Sequence, residues 1–515
     1  MCSFFKIAST SNSYNNVLKS LRYNIIYIKK FSTHNLYQKK WEAIIGLEIH
    51  AQINSKKKLF SKSSTSFNEP VNTNVSVIDA AFPGTIPRIN SKCVQLTVAT
   101  SLALNGNVQP VSFFDRKHYF YPDLPAGYQI TQHYAPISLG GKITLSPLDG
   151  LDYETDVKIK QIQIEQDTGK SIHDIKPGIA LIDLNRSGTG LMEIVTEPDI
   201  RTSKEAGLTV RKLQTLLRTL GSSNGNMEEG SLRCDVNVSV HEVGTPFGTR
   251  CEIKNLNSIK FLMSAIDVEI ERQIAELEKG HSIMQETRGY DVAANQTFRL
   301  RTKETLTDYR YMPEPDIPSL IITKDYLKRI HNKLPELPDD RKKRLMNQYN
   351  ISLRDVTSLM HEDGGVEYFE EIAKNRNPHH VVNLIIHDLY GLLNTNNIKF
   401  NHNPVTTQQL GSIIDSIKMG DITAKVGRKI LTLMVMGDNR LSSDIIQEKG
   451  WKQLTNTDEL EIICKDILSR NPKQVQQYKQ GNKNLFSWFV GQVMRETKSS
   501  ANPKLVNDIL TKYLN

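Results

Sequence analysis

The amino-acid sequence predicts an α+β fold in which an antiparallel-sheet cradle domain with helices precedes an all-helical domain and a small helical C-terminal tail domain. Apolar and polar residues alternate with period two in several runs of the first part, most clearly in Leu232–Val240. This alternation is typical of an antiparallel strand with one solvated face. Beyond about Ile322, short helical patterns broken by Pro, Gly and Asn replace it. Because 515 residues are too many for one hydrophobic core, we place the three domains at residues 41–325, 326–438 and 439–515.

The elements of the first domain follow from periodicity and capping residues. Strands are predicted where apolar residues alternate with polar ones, and helices where they recur every three or four positions after a capping Ser or Asn. The predicted strands are Ile44–His50, Gln161–Glu165, Leu191–Pro198, Leu232–Val240 and Arg250–Lys254. The predicted helices are Ser91–Leu104, a helix capped by Ser203 that runs to Leu220, and one that begins at Asn257 or Ser258 and ends at Gly280.

The overall composition is that of a soluble globular protein, with 38% hydrophobic and 23% charged residues. No apolar run approaches the roughly 20 residues that span a bilayer, so we expect no membrane contact. The five cysteines are scattered without Cys-x-x-Cys spacing. This pattern predicts reduced, mostly buried thiols and excludes a disulfide framework or a cysteine-based zinc site.

The net charge of +9 is concentrated at the N-terminus. Residues 1–40 contain seven Lys or Arg and no acid, which leaves +2 for the rest of the chain. The segment is rich in Ser and Asn and resembles a mitochondrial transit peptide. Its preference for Lys over Arg also suits a disordered basic arm. We favour the transit peptide and therefore predict import into the mitochondrial matrix.

Carboxylates and basic residues share the polar faces of the predicted strands. Glu48 and His50 lie two residues apart on one strand, whereas Glu193 and Asp235 lie on two others. Oxygen ligands on separate strands can hold a hard divalent cation, and cationic side chains can hold phosphates. The pattern is compatible with a site for Mg²⁺ and ATP. It is equally compatible with solvated strand faces, because spacing alone does not bring the strands together.

Two segments, Phe114–Asp123 and Asp308–Asp316, interleave tyrosines with Arg or Lys. Such a mixture suits a nucleotide, with stacking on the base and positive charge on the phosphate. The first segment is equally compatible with a strand that packs its rings inside. Gly169-Lys170-Ser171 looks like the end of a P-loop, but Ile164 stands where the first glycine belongs and Pro177 interrupts the chain where a helix should follow. We therefore reject a P-loop.

Seven motifs of the chain are long and hard to meet by chance. They are Ile45–His50, Phe114–Asp123, Leu184–Gly188, Met227–Asp235, Glu252–Ser258, Asp308–Asp316 and Val490–Met494. They resemble the B subunit of the aspartyl/glutamyl-tRNA amidotransferases, from about Trp41 to the end of the chain. With the N-terminal segment, the chain most resembles the mitochondrial form of that family.

The resemblance implies a reaction and partners. The family's B subunit transfers the γ-phosphate of ATP to the side-chain carboxylate of glutamate mischarged on tRNA(Gln), and ammonia then converts the acyl phosphate to Gln-tRNA(Gln). Ammonia comes from an amidase-type A subunit, and a small C subunit completes a heterotrimer. The fold implied is a cradle for ATP and the tRNA acceptor end, then a helical domain, then a tail that grips the body of the tRNA.

The resemblance also implies site residues. The family's Mg²⁺ ligands, which are the predicted catalytic residues, fall at Glu48, His50, Glu165 and Glu193. As further metal ligands we add Glu229 and Asp235. The candidates for contact with the ATP phosphates, chosen on charge and motif membership, are Lys170, Arg233 and Lys254.

The chain departs from its family at one metal site. Many relatives carry a zinc site near the N-terminus that is built from two cysteine pairs. The matching positions here are Ser61, Ser63, Ser76 and Asp79. Because hydroxyls do not replace thiolates on zinc, we predict that this chain binds no zinc.

Two other functions remain compatible with the sequence. One is a non-catalytic tRNA-binding scaffold whose acidic faces are plain surface, and the other is an ATP-dependent carboxylate-activating ligase for a small molecule. An assay of the chain with its partner subunits, ATP and Glu-tRNA(Gln) distinguishes the three hypotheses, because only the amidotransferase forms both ADP and Gln-tRNA(Gln).

Overall fold

A computed structural model of the chain describes residues 40–65, 67–176, 179–302, 308–453, 457–497 and 501–514. The predicted transit peptide, except for its last residue, lies outside these ranges. The described residues form two compact units, divided between residues 339 and 340. The first contains the sheet and the second is helical, which confirms the predicted α+β class.

All strands of the described residues lie in the first unit. They are β1 (Trp41–Gln52), β2 (Asn107–Val108), β3 (Val111–Ser112), β4 (Asp115–His118), β5 (Tyr128–Thr131), β6 (Ser138–Leu139), β7 (Lys142–Leu145), β8 (Thr155–Gln166), β9 (Lys170–Lys176), β10 (Ile179–Asp183), β11 (Gly190–Thr196), β12 (Leu232–Glu242), β13 (Cys251–Leu256), β14 (Glu286–Asp291), β15 (Gln296–Thr302), β16 (Met312–Pro313) and β17 (Leu320–Ile321). The five predicted strands therefore exist, and each extends beyond its pattern at one end or both, although β11 ends earlier and β13 begins later than predicted.

Ten strands form one large sheet in the order β15-β14-β13-β12-β1-β11-β8-β6-β2, with β7 also paired to β8. The pairs are antiparallel except β13 and β14, which are parallel. A helix, Ile259–Glu278, joins those two strands, and such a crossover is what a parallel pair requires. Separately, β4 lies between β5 and β16 in a three-stranded sheet.

The first unit contains four complete α-helices among its described residues, besides a 3-10 helix at Pro147–Asp149. They are α1 (Ser91–Ala103), α2 (Ser203–Thr219), α3 (Ile259–Glu278) and α4 (Lys324–His331). Ser258 caps α3 as predicted, but Thr202 replaces Ser203 as the cap of α2. The hydroxyl of Thr202 accepts from the backbone N–H of Glu205, whose carboxylate accepts in return from that of Thr202. This reciprocal pair is a capping box, so the cap lies one residue earlier than the helical pattern indicated.

One face of the sheet packs against helices to form the core of the first unit. Ile45, Leu47 and Ile49 of β1 are at most 1% exposed, which confirms the predicted alternation. Ile330 of α4 belongs to the same core. The core therefore extends past the predicted domain boundary at residue 325, because the apolar side of α4 packs on it.

The second unit is built from short helices. They are α5 (Pro338–Tyr349), α6 (Leu353–His361), α7 (Gly365–Ala373), α8 (Pro378–Asn383), a π-helical segment (Leu384–Leu389), α9 (Tyr390–Thr395), α10 (Thr407–Met419), α11 (Ala424–Val435), α12 (Ser442–Lys449), α13 (Thr457–Arg470), α14 (Pro472–Lys479), α15 (Leu485–Glu496) and α16 (Pro503–Leu514). Two hydrophobic clusters hold them. Ile445 and Ile446 of α12 belong to the first cluster, and the second begins at Leu460. The core thus changes after α12 and not at the predicted boundary at residue 438, because α12 has an apolar side that packs backward along the chain.

No helix in the described ranges is long and apolar enough to cross a membrane. The four described cysteines, Cys93, Cys234, Cys251 and Cys464, are free and buried, as predicted for reduced thiols. Burial raises the pKa of Cys93 to about 11 and that of Cys251 to about 12. These thiols therefore stay protonated at neutral pH, which makes them poor nucleophiles.

Candidate acid cluster on the large sheet

Strand register places the polar faces of four neighbouring strands side by side. His50 of β1 lies opposite Glu193 of β11, and on the other side of β1 it lies opposite Arg233 of β12. Glu165 of β8 is two residues from Gln163, which lies opposite Glu193. Residues opposite one another in antiparallel strands share a face. Side chains that are far apart in sequence therefore meet on one surface.

Three of the predicted metal ligands form a compact group, which we call the acid cluster. One ligand atom from each of His50, Glu165 and Glu193 lies within 4.8 Å of the others. The Nδ1 atom of His50 is 3.2 Å from Oε1 of Glu165. The hydroxyl of Thr131 donates to Glu165 at 3.2 Å, and the amide of Gln163 donates to Glu193 at 2.6 Å. The two carboxylates are thus held in place by neutral donors.

The acid cluster perturbs its own protonation. Burial opposes a charge on His50, but its hydrogen bond to Glu165 and the charges of Glu193, Glu165 and Asp235 outweigh burial and raise the pKa of His50 to about 9. Burial and the charge of Glu165 raise the pKa of Glu193 to about 7, despite the attraction of His50 and Lys117. Burial would also raise the pKa of Glu165, but the hydrogen bond and charge of His50 lower it. Two carboxylates this close compete for one positive partner.

The donor set fits a divalent cation. Two carboxylates and one imidazole converge, and the charge of one carboxylate hinders ionisation of the other. A hard cation with a preference for oxygen ligands relieves that repulsion, and Mg²⁺ in phosphoryl-transfer sites is typically held by one or two carboxylates together with substrate phosphates. His50, Glu165 and Glu193 are the residues that would hold it.

Two further predicted ligands lie beside the acid cluster in contacts of their own. Glu48 accepts a hydrogen bond from the amide of Asn237 at 3.0 Å, and Asp235 forms an ion pair of 2.6 Å with Lys254. Within the described residues, neither joins the group of three. Their charges reach it nonetheless: after burial and Glu165, Glu48 also raises the pKa of Glu193. Glu48 and Asp235 therefore affect the acid cluster through their charges and not as members of the group.

The remaining predicted residues are spread around the sheet. Glu229 is exposed in the turn before β12, and Lys170 is exposed at the start of β9. Arg233 pairs with Asp167 at 3.0 Å, and Lys254 pairs with Glu252 at 2.7 Å as well as with Asp235. The two cations on the sheet are thus neutralised by carboxylates outside the acid cluster, and the structure does not gather all three predicted phosphate contacts around it. Because β9 is a strand and not a helix, the rejection of a P-loop is confirmed.

One basic residue at the acid cluster is absent from the predicted set. Burial would lower the pKa of Lys117, but the charges of Glu165 and Glu193 outweigh burial and raise it. Lys117 belongs to β4, in the three-stranded sheet. The sequence analysis singled out its segment, Phe114–Asp123, for the mixture of aromatic and charged residues. No pattern within that segment indicates which strands of the large sheet lie near Lys117.

The positions that match the family's zinc ligands hold a buried ion pair. Lys58 is completely buried, and its ammonium donates to Asp79 at 3.0 Å and to the carbonyl of Leu184 at 3.3 Å. The hydroxyl of Ser61 and the backbone N–H of Ser76 also donate to the same carboxylate oxygen of Asp79. These positions do not fit zinc. Their one anionic group, the carboxylate of Asp79, is paired with the ammonium of Lys58, and serine hydroxyls stand where zinc requires thiolates.

Comparisons with known proteins agree with this architecture. The model of the GatB/GatE catalytic domain matches residues 43–328, and the model of the GatB domain matches residues 367–514. The B subunit of the mitochondrial glutamyl-tRNA(Gln) amidotransferase of Dictyostelium discoideum is 41% identical over 528 aligned residues, which cover 99% of this chain and 96% of that protein. The B subunits of the aspartyl/glutamyl-tRNA(Asn/Gln) amidotransferases of Azorhizobium caulinodans and of a Methylobacterium strain are 45% and 46% identical, each over 92% of this chain and 96% of the relative.

A family model thus covers more than half of the chain, and these relatives align with nearly all of it. The chain belongs to the GatB family of amidotransferase B subunits.

Proposed function

We propose that this chain is the B subunit of a mitochondrial carbon–nitrogen ligase that converts Glu-tRNA(Gln) to Gln-tRNA(Gln) with ATP and with glutamine as the amide donor. The proposal follows the activity for which its relatives are named. The observation that carries it on this chain is the acid cluster of His50, Glu165 and Glu193, whose three ligand atoms lie within 4.8 Å of one another. A scaffold that only bound tRNA would have no need for two carboxylates in such proximity, one of them buried and the other half-buried.

The chemistry consists of two transfers. In the first, a side-chain oxygen of the esterified glutamate attacks the γ-phosphorus of ATP, the bond to the bridging oxygen breaks, and ADP leaves. In the second, ammonia attacks the carbonyl carbon of the acyl phosphate, inorganic phosphate leaves, and the nitrogen loses a proton. The first transfer is needed because oxide is a poor leaving group and phosphate a good one.

The residues near the acid cluster have distinct tasks in this scheme. When bound there, Mg²⁺ supplies neutralisation of phosphate charge. Lys117 provides a cation close enough to Glu165 and Glu193 for their charges to raise its pKa, so it also attracts the oxygens of a transferring phosphoryl group. Asp235 and Lys254 hold each other at 2.6 Å. We therefore infer that Asp235 and Lys254 contribute to the electrostatic potential at the acid cluster and do not contact the phosphates.

Partners and location complete the proposal. We infer that ammonia is made by an amidase-type A subunit and that a small C subunit completes a heterotrimer. The buried thiols of this chain have raised pKa values, which agrees with an ammonia source outside it. We further propose that the complex works in the mitochondrial matrix, and that the C-terminal helices after α12 grip the body of the tRNA.

The test is the substitution Glu193→Gln in the complex with its partner subunits. We expect ADP release and amidation to fall by about a hundredfold or more, whereas the dissociation constant for tRNA should stay within about twofold. Glu197→Gln is the matched control, because Glu197 lies four residues further along the chain and outside the acid cluster. Unchanged turnover of the Glu193 variant would contradict the proposal. Binding of tRNA without any ADP from the wild type would favour a scaffold, and ADP formation without tRNA would favour a small-molecule ligase.

A further inference from the structure

Two neutral side chains connect the carboxylates of the acid cluster. The amide nitrogen of Gln163 donates to Oε2 of Glu193 at 2.6 Å and to the hydroxyl oxygen of Thr131 at 3.2 Å. That hydroxyl in turn donates to Oε2 of Glu165 at 3.2 Å. An amide nitrogen carries two hydrogens, and a hydroxyl both accepts and donates, so the three hydrogen bonds are compatible with one another. We call Gln163 and Thr131 the amide bridge, because together they join Glu193 to Glu165.

The amide of Gln163 has a fixed orientation. Its oxygen accepts a hydrogen bond from the amide of Gln161 at 2.6 Å. Its nitrogen faces Glu193, and because an ionised carboxylate only accepts hydrogen bonds, a flipped amide would place oxygen against oxygen. Both ends of the amide therefore have partners that favour this orientation.

The strands that carry the amide bridge are themselves bonded together beside it. Thr131 is 2% exposed and Gln163 is 6% exposed. The next residue of each strand takes part in a hydrogen bond between them, in which the amide oxygen of Gln132 accepts from the backbone N–H of Ile164 at 3.0 Å. Directly after β5, the buried carboxylate of Asp115 accepts from two successive backbone N–H groups. The positions of the two bridging side chains are therefore set by the packing of β5 on β8.

The amide bridge orients the carboxylates without neutralising their charge. Elsewhere on the same sheet, Asp235 is paired with the ammonium of Lys254 at 2.6 Å. A lysine in place of Gln163 would compete with a metal ion for the same carboxylates, and an acid would add to their repulsion. A neutral donor avoids both effects. The negative charge of Glu193 therefore stays available to a cation while one of its oxygens is held in place.

We propose that the amide bridge fixes the spacing of Glu165 and Glu193 and thereby makes the acid cluster select a cation of the size of Mg²⁺ over the larger Ca²⁺. Gln163 and Thr131 are positioning residues, since they act through the carboxylates. The inference rests on the proposed function, because the cation is taken from there. Mg²⁺ requires near-ideal octahedral geometry with oxygens at about 2.0–2.1 Å, whereas Ca²⁺ accepts flexible geometry at about 2.3–2.6 Å. Carboxylates that are held at one spacing therefore favour the smaller ion.

The first experiment measures the selectivity of the complex for the two cations. Mn²⁺ is bound to the complex without ATP and is displaced by Mg²⁺ or by Ca²⁺, while free Mn²⁺ is followed by electron paramagnetic resonance. Gln163→Leu keeps the side chain close to its original size and removes its hydrogen bonds. We expect the affinity for Mg²⁺ to fall by about tenfold or more, as for a lost hydrogen bond to a charged group. The affinity for Ca²⁺ should change by less than about threefold.

The ratio of the two affinities is the readout, because general damage to the fold lowers both. Gln129→Leu is the matched control. Gln129 is also 6% exposed, and its amide contacts the carbonyl of Gln166 and the hydroxyl of Tyr119 instead of a carboxylate. This variant loses a comparable buried amide, so its ratio of Mg²⁺ to Ca²⁺ affinity should stay within about twofold of the wild type.

The second experiment tests the other half of the amide bridge. Thr131→Val keeps the shape of the side chain and removes its hydrogen bonds to Gln163 and Glu165, whereas Thr131→Ser keeps the hydroxyl. We expect Thr131→Val to lower the ratio of Mg²⁺ to Ca²⁺ affinity by about threefold to tenfold. Thr131→Ser should stay within about twofold of the wild type. An unchanged or raised ratio in a folded variant, either Gln163→Leu or Thr131→Val, would overturn the proposal.

The outcomes also separate this inference from the proposed function. If the wild-type complex forms no Gln-tRNA(Gln), the proposed function fails, and the cation measurements still decide the role of the amide bridge. If the wild type is active but binds neither cation without ATP, or keeps its selectivity when Gln163 is replaced by Leu, the inference is wrong and the proposed function stands.

Discussion

Binding of a divalent cation to the acid cluster should depend steeply on pH, because protons and the cation compete for the same atoms. The pKa is about 9 for His50 and about 7 for Glu193, against ordinary values of 6.5 and 4.5. At pH 6, about one molecule in a thousand has a neutral His50, and about one in ten of those has an ionised Glu193. At pH 8, about one molecule in ten has both groups ready to bind. The affinity should therefore rise on the order of a thousandfold between pH 6 and pH 8.

The sign and the size of this effect both follow from the structure. Raised pKa values mean that the binding form of each group gains population as pH increases, so the cation binds more tightly at higher pH. Glu165, whose pKa is lowered by His50, is ionised throughout and adds nothing to the dependence. Groups at their ordinary pKa values would change the affinity only about fourfold over the same range.

The measurement uses Mn²⁺ as the probe, with free Mn²⁺ followed by electron paramagnetic resonance in the complex without ATP. Substitution of His50 by Gln removes the competition with protons at the imidazole. Because the charge of His50 lowers the pKa of Glu193, its loss should raise that pKa, so a change of at least about tenfold should remain from Glu193. A rise of about fivefold or less in the wild type would refute the reasoning, because it would mean that the cation does not displace protons from His50 and Glu193.

Three further substitutions probe the rest of the chain. Lys58→Met should lower the free energy of unfolding of the first unit by about 3–5 kcal/mol, because it leaves the carboxylate of Asp79 buried without its cation. In chemical denaturation, the double variant with Asp79→Asn should recover part of this loss. Stoichiometric zinc in a metal analysis of the wild type would contradict our account of these residues. Lys117→Met should reduce ADP formation by about a hundredfold while the dissociation constant for tRNA stays constant, and a proportional loss of tRNA binding would indicate a structural role instead. Truncation after residue 453, beyond the core that contains Ile445 and Ile446, should weaken tRNA binding and leave the affinity for Mn²⁺ unchanged. An unchanged affinity for tRNA would show that the C-terminal helices do not bind the RNA.

Local rules explain how much of the fold was readable from the sequence. The alternation of apolar and polar residues located β1, β8, β11, β12 and β13, because successive side chains of a strand point to opposite faces and only one face is buried. Capping and periodicity located the three long helices of the first unit, with Thr202 in place of Ser203 as one cap. Domain boundaries were less well placed. The apolar sides of α4 and α12 pack on the preceding core, and sequence does not show on which side of a linker a helix will pack.

The sequence by itself determined five of the strands and the three long helices of the first unit, the buried thiols, the residue types on the polar faces and the membership of the family. Only the tertiary structure decided which of those residues meet. His50, Glu165 and Glu193 share one cluster because β1, β11 and β8 are neighbours in a particular register. Strand order and register are set by packing between distant segments, and a shift of one residue would turn each face over. The same reason hid Lys117, which belongs to β4 in the three-stranded sheet and comes near Glu165 and Glu193 only in the folded chain.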